Sequence, residues 1–232
     1  MIEPKIIYED NHIIVVIKPQ NISVQADSSG DLDMLTMIKE FIKVRDKKPG
    51  NVYLGLVHRL DRPTGGVMVF AKTSKSASRL SNELKAKQLK KKYLCVVCGR
   101  PKIVESRLTT YLKKDEKNNI VHIAPQTEDG SKEAILDYKA LSTKNKLSLI
   151  EVNLITGRSH QIRVQMSKQL GVPIFADLKY GDNEHIGQLA LWAYQLEFVH
   201  PVTKEIMKFK VAPDYKNLAF KMFETEIEKL LN

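Results

Sequence analysis

Two cysteines, one tryptophan and no long apolar run leave this 232-residue chain few of the usual anchors. Cys95 and Cys98 are too few for a disulfide framework, so a reducing, cytoplasmic setting is the expectation. Their C-x-x-C spacing finds no second pair to complete a tetrahedral zinc site. Residues three apart on a strand also face opposite sides, so the pair reads as two strand thiols. No stretch approaches the roughly 18 apolar residues that a membrane span requires. The longest early run, Ile13-Ile14-Val15-Val16-Ile17, suits a buried strand. The N-terminus has no basic region leading into an apolar stretch, so no secretory signal is expected. Internal repeats and low-complexity segments are absent from the sequence.

What the chain has in surplus is positive charge. Its formal net charge is +10 and its pI is near 9.4, a balance that commonly marks a polyanionic partner. The lysines and arginines gather at Lys43, Arg45, Lys47 and Lys48, and again at Lys85, Lys87, Lys90, Lys91 and Lys92. Each cluster reads equally well as a track for phosphates or as a solvated helix end that complements the helix dipole.

Hydrophobic periodicity predicts strands on both sides of Asp10-Asn11 within residues 5–18, and a helix over 31–43. A strand follows at 66–72, then a helix capped by Ser74, then a strand at 91–99. The middle is strand-rich, with candidates at 107–112, 120–124, 133–141 and 147–155. A helix over 160–170 ends at Gly171 and Pro173. Strands near 194–199 and 205–211 and a helix over 215–231 complete the chain. Adjacent strands with few helices predict an α+β fold: a mixed, largely antiparallel sheet with flanking helices and a central active-site cleft.

Three segments carry candidate chemistry. His58-Arg59-Leu60-Asp61-Arg62-Pro63-Thr64-Gly65-Gly66 joins a strand ending near Val57 to one beginning near Gly66. Its prolines and glycines shape a tight turn that holds Asp61 between rigid elements, although an ordinary turn would look much the same. Lys91-Lys92-Tyr93-Leu94-Cys95-Val96-Val97-Cys98-Gly99 puts Tyr93, Cys95 and Val97 on one strand face, with a phenol at its edge. Thr156-Gly157-Arg158-Ser159-His160-Gln161-Ile162-Arg163 leaves a strand and opens a helix. Backbone amides there favour anions, and Ser159 and Arg163 are expected to share a helical face.

Together, in order and spacing, the three segments resemble the RluA-type RNA pseudouridine synthases. The resemblance runs from about Ile6 to Val211. It also includes Gly171-Val172-Pro173-Ile174, Asp177-Leu178-Lys179-Tyr180-Gly181 and Leu196-Glu197-Phe198-Val199-His200-Pro201. This chain departs from the family at Gly65 (usually Ser), Cys95 (Ala), Ala176 (Gly) and Trp192 (His). The resemblance implies a single catalytic domain over 1–232, built as two sub-lobes around a cleft and lacking an N-terminal S4 domain. It implies that Asp61 acts on the target uridine, that Arg163 keeps Asp61 charged, and that Tyr93 stacks on the uracil. Arg59 would fill the space of the extruded base, with Arg62, Arg158, His160 and the lysines Lys90, Lys91 and Lys92 contacting RNA. His58 and His160 are expected to hold their loops by hydrogen bonds rather than to do chemistry. Isomerisation needs no cofactor and no metal, and the sequence shows no metal-ligand spacing. The implied partner is a structured RNA, ribosomal or transfer, acted on by a monomer that touches no membrane. Two other readings are a catalytically silent RNA-binding protein on the same scaffold and an unrelated hydrolase using Asp61 and His58. The hydrolase would need a metal site or a paired carboxylate, and neither is visible in the sequence.

Overall fold

The computed structural model describes residues 3–27, 29–181 and 184–232. The fold is α+β with a largely antiparallel sheet, and the chain divides into two compact units.

The first unit comprises Met1–Lys90 and Gln195–Val211. It contains β1 (Lys5–Glu9), β2 (Ile13–Lys18), α1 (Met34–Arg45), β3 (Gly55–Leu56), β4 (Gly65–Ala71) and α2 (Ser74–Lys85). β2 and β4 pair antiparallel from Ile13 opposite Ala71 to Lys18 opposite Gly66. Nearly every residue of both strands is buried, which is why they read as unbroken apolar runs rather than alternating ones. α1 starts at Met34, later than its periodicity predicts, because the Asp33 side chain caps the Thr36 amide at 3.0 Å. Thr73, not Ser74, caps α2 by accepting from the Ser76 amide at 3.2 Å.

The second unit comprises Lys91–Tyr194 and Ala212–Asn232. It contains β5 (Lys90–Cys98), β6 (Glu105–Asp115), β7 (Ile120–Ile123), β8 (Lys132–Lys144) and β9 (Leu147–Leu154). These lie in the order β5-β9-β8-β6-β7, with antiparallel ladders throughout. β10 (Leu191–Val199) contributes residues to both units, and β11 (Ile206–Lys210) pairs with its later half.

Two expected helices come out differently. The one over 160–170 is a single α turn, α3 (Gln161–Val164), followed by a π-helical turn at Gln165–Gln169. It begins late because His160 sits in the left-handed region at φ 51°, so Ser159 lies off the helix and shares no face with Arg163. The one over 215–231 is split into α4 (Leu218–Lys221) and α5 (Glu224–Leu231). At the break the Met222 carbonyl accepts from Lys144 Nζ at 3.1 Å, while Phe220, Phe223 and Ile227 are all fully buried. No helix among the described residues is long and apolar enough to cross a membrane.

Candidate functional site

In the first unit, the segment before β4 is a turn closed by the Thr64 amide on the Asp61 carbonyl at 2.9 Å. The next two carbonyls are also taken. Lys18 Nζ donates to Arg62 O at 3.0 Å, and Gln20 Nε2 donates to Pro63 O at 2.9 Å. Three consecutive peptide oxygens are thus tied down, and the half-buried Asp61 side chain rides on a rigid turn. His58 is buried in the same loop and accepts the Val69 amide at 3.3 Å, a structural role.

Lys18 is fully buried at the end of β2, and its second donor goes to Pro19 O at 3.0 Å. Burial pushes its pKa down to about 7, against the attraction of Asp61 and with the help of Arg62. A lysine that ends an apolar strand reads from sequence as solvent-facing, and only the preceding run and the adjacent Pro19 hinted otherwise.

The exposed basic residues of this unit are less free than their sequence suggests. Arg62 ion-pairs with Asp31 and donates to Asn21 O and to Ser29 Oγ, each at 3.2 Å, so it braces the 21–31 loop. Arg45 binds Glu9 with two nitrogens, at 2.6 and 2.8 Å, and also pairs with Asp46. Arg59 is exposed, and Lys90 pairs with Glu197 at 2.7 Å.

In the second unit, β5 carries Tyr93 as a buried residue opposite Val152 of β9. Lys92 pairs with Glu151 at 3.2 Å. Lys91 lies against Gly157, where an added Cβ would come within 3.2 Å of its Nζ. Burial holds the Lys91 pKa below its usual value. Gly157 therefore leaves room for an ammonium at the exit of β9.

The segment beyond Gly157 is fastened by Gln161. Its Oε1 accepts from Thr156 Oγ1 at 2.8 Å and from the Arg158 amide at 3.0 Å. Its Nε2 donates to Ile135 O and to Gln165 Oε1. Gln165 passes the ladder on to Gln169, and both reach carbonyls of β6 or β8. The Arg158 amide, expected to face an anion, is thereby occupied. The Arg158 Nε donates to Glu133 O at 2.8 Å while the side chain stays exposed.

Arg163 is buried beside Asp177. Its Nε donates to Oδ2 at 2.9 Å and its Nη2 to Oδ1 at 2.6 Å, a two-pronged pair in which Asp177 is wholly enclosed. The Tyr180 ring lies under the guanidinium, 5.0 Å from carbon to centroid. Tyr180 Oη meets His160 Nδ1 at 2.5 Å and accepts the Val121 amide at 2.9 Å. Sequence reasoning gave Arg163 no partner in its own unit. Asp177 and Tyr180 stood in a segment noted only for its resemblance, so that segment was the available signal.

Cys95 is buried and burial raises its thiol pKa, while Cys98 Sγ lies 3.6 Å from His185 Nδ1. Among the described residues no group of three or more His, Cys, Asp or Glu gathers as metal ligands would.

Comparison with known proteins adds the following. A family profile described as RNA pseudouridylate synthase matches residues 12–168. Ribosomal large subunit pseudouridine synthase C of Buchnera aphidicola subsp. Baizongia pistaciae is 34% identical over 97% of this chain and 70% of its own length. The protein of that name in Vibrio parahaemolyticus is 32% identical over 99% and 69%. In structure, the chain is similar to human RNA Pseudouridylate Synthase Domain Containing 4, with a TM-score of 0.78 and 22% identity. That match covers 95% of this chain and 93% of the human one, and it establishes a shared fold.

Proposed function

Since the chain belongs to the RNA pseudouridylate synthase family, we propose that it isomerises a uridine of ribosomal RNA to pseudouridine, with Asp61 as the catalytic carboxylate. Membership makes it an RNA pseudouridine synthase, an isomerase. The bacterial relatives' names support ribosomal RNA over transfer RNA as the substrate, and a cytoplasmic site of action.

The reaction breaks the bond from ribose C1′ to uracil N1 and forms one from C1′ to C5. A proton leaves C5 and one arrives at N1, so the atoms balance without oxidant or added group. The base must leave the RNA stack before either atom is reachable. Asp61 acts on the nucleoside, Arg163 fixes the direction of its carboxylate, and Tyr93 stacks on the uracil so that the detached base turns without escaping. Arg59 takes the place of the extruded base. Arg62, Arg158, His160, Lys90, Lys91 and Lys92 face the RNA; Lys90 also pairs with Glu197 and Lys92 with Glu151, while among the described residues no carboxylate pairs with Lys91.

The observation that carries the reading is the immobilised Asp61 turn, whose three carbonyls are held by Thr64, Lys18 and Gln20. A carboxylate that must meet one atom of an extruded nucleoside gains from such a mount. The test incubates the protein with RNA from a strain lacking it and maps new pseudouridines site by site. Modification of one ribosomal uridine by the wild type, and none by Asp61→Asn, is the expected result. Full modification by Asp61→Asn removes the proposal, and cellular function retained in Asp61→Ala favours the silent RNA-binding reading.

A further inference from the structure

We propose that Asp177 is a positioning residue for the isomerisation, acting through Arg163 with Tyr180 as the second jaw of a clamp. The inference rests on the role assigned to Arg163 above.

An arginine used only as a positive charge does not need a buried carboxylate of its own. Asp177 lowers the net charge Arg163 presents, so its presence works against a purely electrostatic role. What the pair supplies is direction. The carboxylate takes Nε and Nη2 along one edge of the guanidinium, and the Tyr180 ring takes one of its faces. The orientation of Nη1 is then fixed before substrate arrives, and the rotamer freedom of a long side chain is already lost.

The clamp is itself held. Asp177 Oδ1 accepts the Lys179 and Tyr180 amides at 3.2 and 3.3 Å. Tyr180 is pinned at its hydroxyl by His160 and the Val121 amide, and at its carbonyl by Ser167 Oγ. On the other side, the glutamine ladder fastens the turn that carries Arg163 to the sheet. His160 thus serves the arginine through Tyr180, which gives a use to a side chain that makes no cap bond to the helix it precedes.

The test follows uridine isomerisation in the intact protein by release of tritium from RNA labelled at uracil C5, for Asp177→Asn, Arg163→Met and the double variant. Asp177→Asn is expected to lower kcat by about 10–100-fold with RNA affinity within about twofold, the loss typical of a displaced reactive group. In the Arg163→Met background it is expected to cost nothing further, because its only route is gone. The acid limb of the pH–rate profile adds a readout that general destabilisation would not give. Removing a charge shifts that limb downward by letting Arg163 act unopposed, whereas losing position lowers the whole profile with the limb in place. Wild-type kcat in Asp177→Asn beside a crippled Arg163→Met overturns the clamp alone, and so do multiplicative losses in the double variant. An active Arg163→Met overturns the role of Arg163 and the clamp together. Should Asp177→Asn fail to fold, Arg163→Lys decides. It keeps the charge but cannot take both carboxylate oxygens, so wild-type kcat there overturns the proposal and a loss of similar size supports it.

Discussion

Lys18 and Arg163 are both buried cations, but Lys18 ends on two carbonyl oxygens and Arg163 on a carboxylate. Carbonyl dipoles satisfy the donors of an ammonium without cancelling its charge, so burial dominates and the Lys18 pKa falls to about 7. Arg163 has its charge balanced across 2.6 Å and, being a guanidinium, does not give up its proton. The first unit therefore carries a cation that neutral pH can discharge, and the second carries one that it cannot. Lys18 holds the loop that bears Asp61, whereas Arg163 is itself expected to act and is held by the segment that bears Asp177 and Tyr180.

The largest effect should separate the acid from its mount. Asp61→Asn is expected to reduce pseudouridine formation by on the order of 10⁴-fold or more, as loss of a catalytic group does in other enzymes, with RNA binding little changed. Product counted by mass spectrometry against a filter-binding isotherm checks both halves. Next comes Arg163→Met, which leaves the Asp177 carboxylate enclosed and unpaired. That should destabilise the second unit by about 3–5 kcal/mol, and adding Asp177→Leu should return much of it. Denaturant melts of the single and double variants decide, and a single variant as stable as the wild type would erase the contrast with Lys18.

The third prediction concerns pH. The folded pKa of Lys18 lies near 7 and the ordinary lysine value is 10.5, so between them the unfolded chain binds more protons than the folded one. Stability should therefore rise as pH increases from about 7 to 9, with a slope of at most about 1.4 kcal/mol per pH unit from this group. Lys18→Met should flatten that rise, although it also leaves two carbonyls unmatched, so the slope and not the midpoint is the quantity to compare. The smallest effect belongs to the residue before Asp177. Ala176 sits at φ 59°, a region that disfavours a Cβ, where the family usually has glycine. Ala176→Gly should relieve that strain and stabilise the protein by about 0.5–1 kcal/mol after the entropy of glycine is subtracted. A loss of stability would mean that the alanine methyl packs better than its backbone suffers.

The sequence made the frame legible where burial is two-sided. β2 and β4 are covered on both faces and so appear as continuous apolar segments. It also singled out Asp61, Tyr93 and Arg163 through motifs. The partners were hidden for physical reasons. Asp177 stands 14 residues from Arg163 across a loop, and no periodicity records such a separation. Lys18 was masked by its residue type, since a lysine after five apolar residues reads as the point where a strand meets water. The π-helical turn keeps the apolar spacing of an ordinary helix, and the glutamines that tie it to the sheet look like solvent-facing residues until the carbonyls of β6 and β8 are in place. Thr73 and Ser74 differ by one position and are chemically alike as caps, so only coordinates separate them.

The discontinuity of the first unit has a consequence for synthesis. β10, the strand beside β4, is encoded after the whole of Lys91–Tyr194. Those roughly 100 residues take on the order of 5–20 s to translate at about 5–20 residues per second. Throughout that interval the nascent chain holds a fully apolar strand, Gly65–Ala71, that is paired with β2 on one side and still lacks β10 on the other. A growing polypeptide in that condition invites edge-to-edge pairing with its siblings on the same message, and the hazard ends only when β10 clears the ribosome.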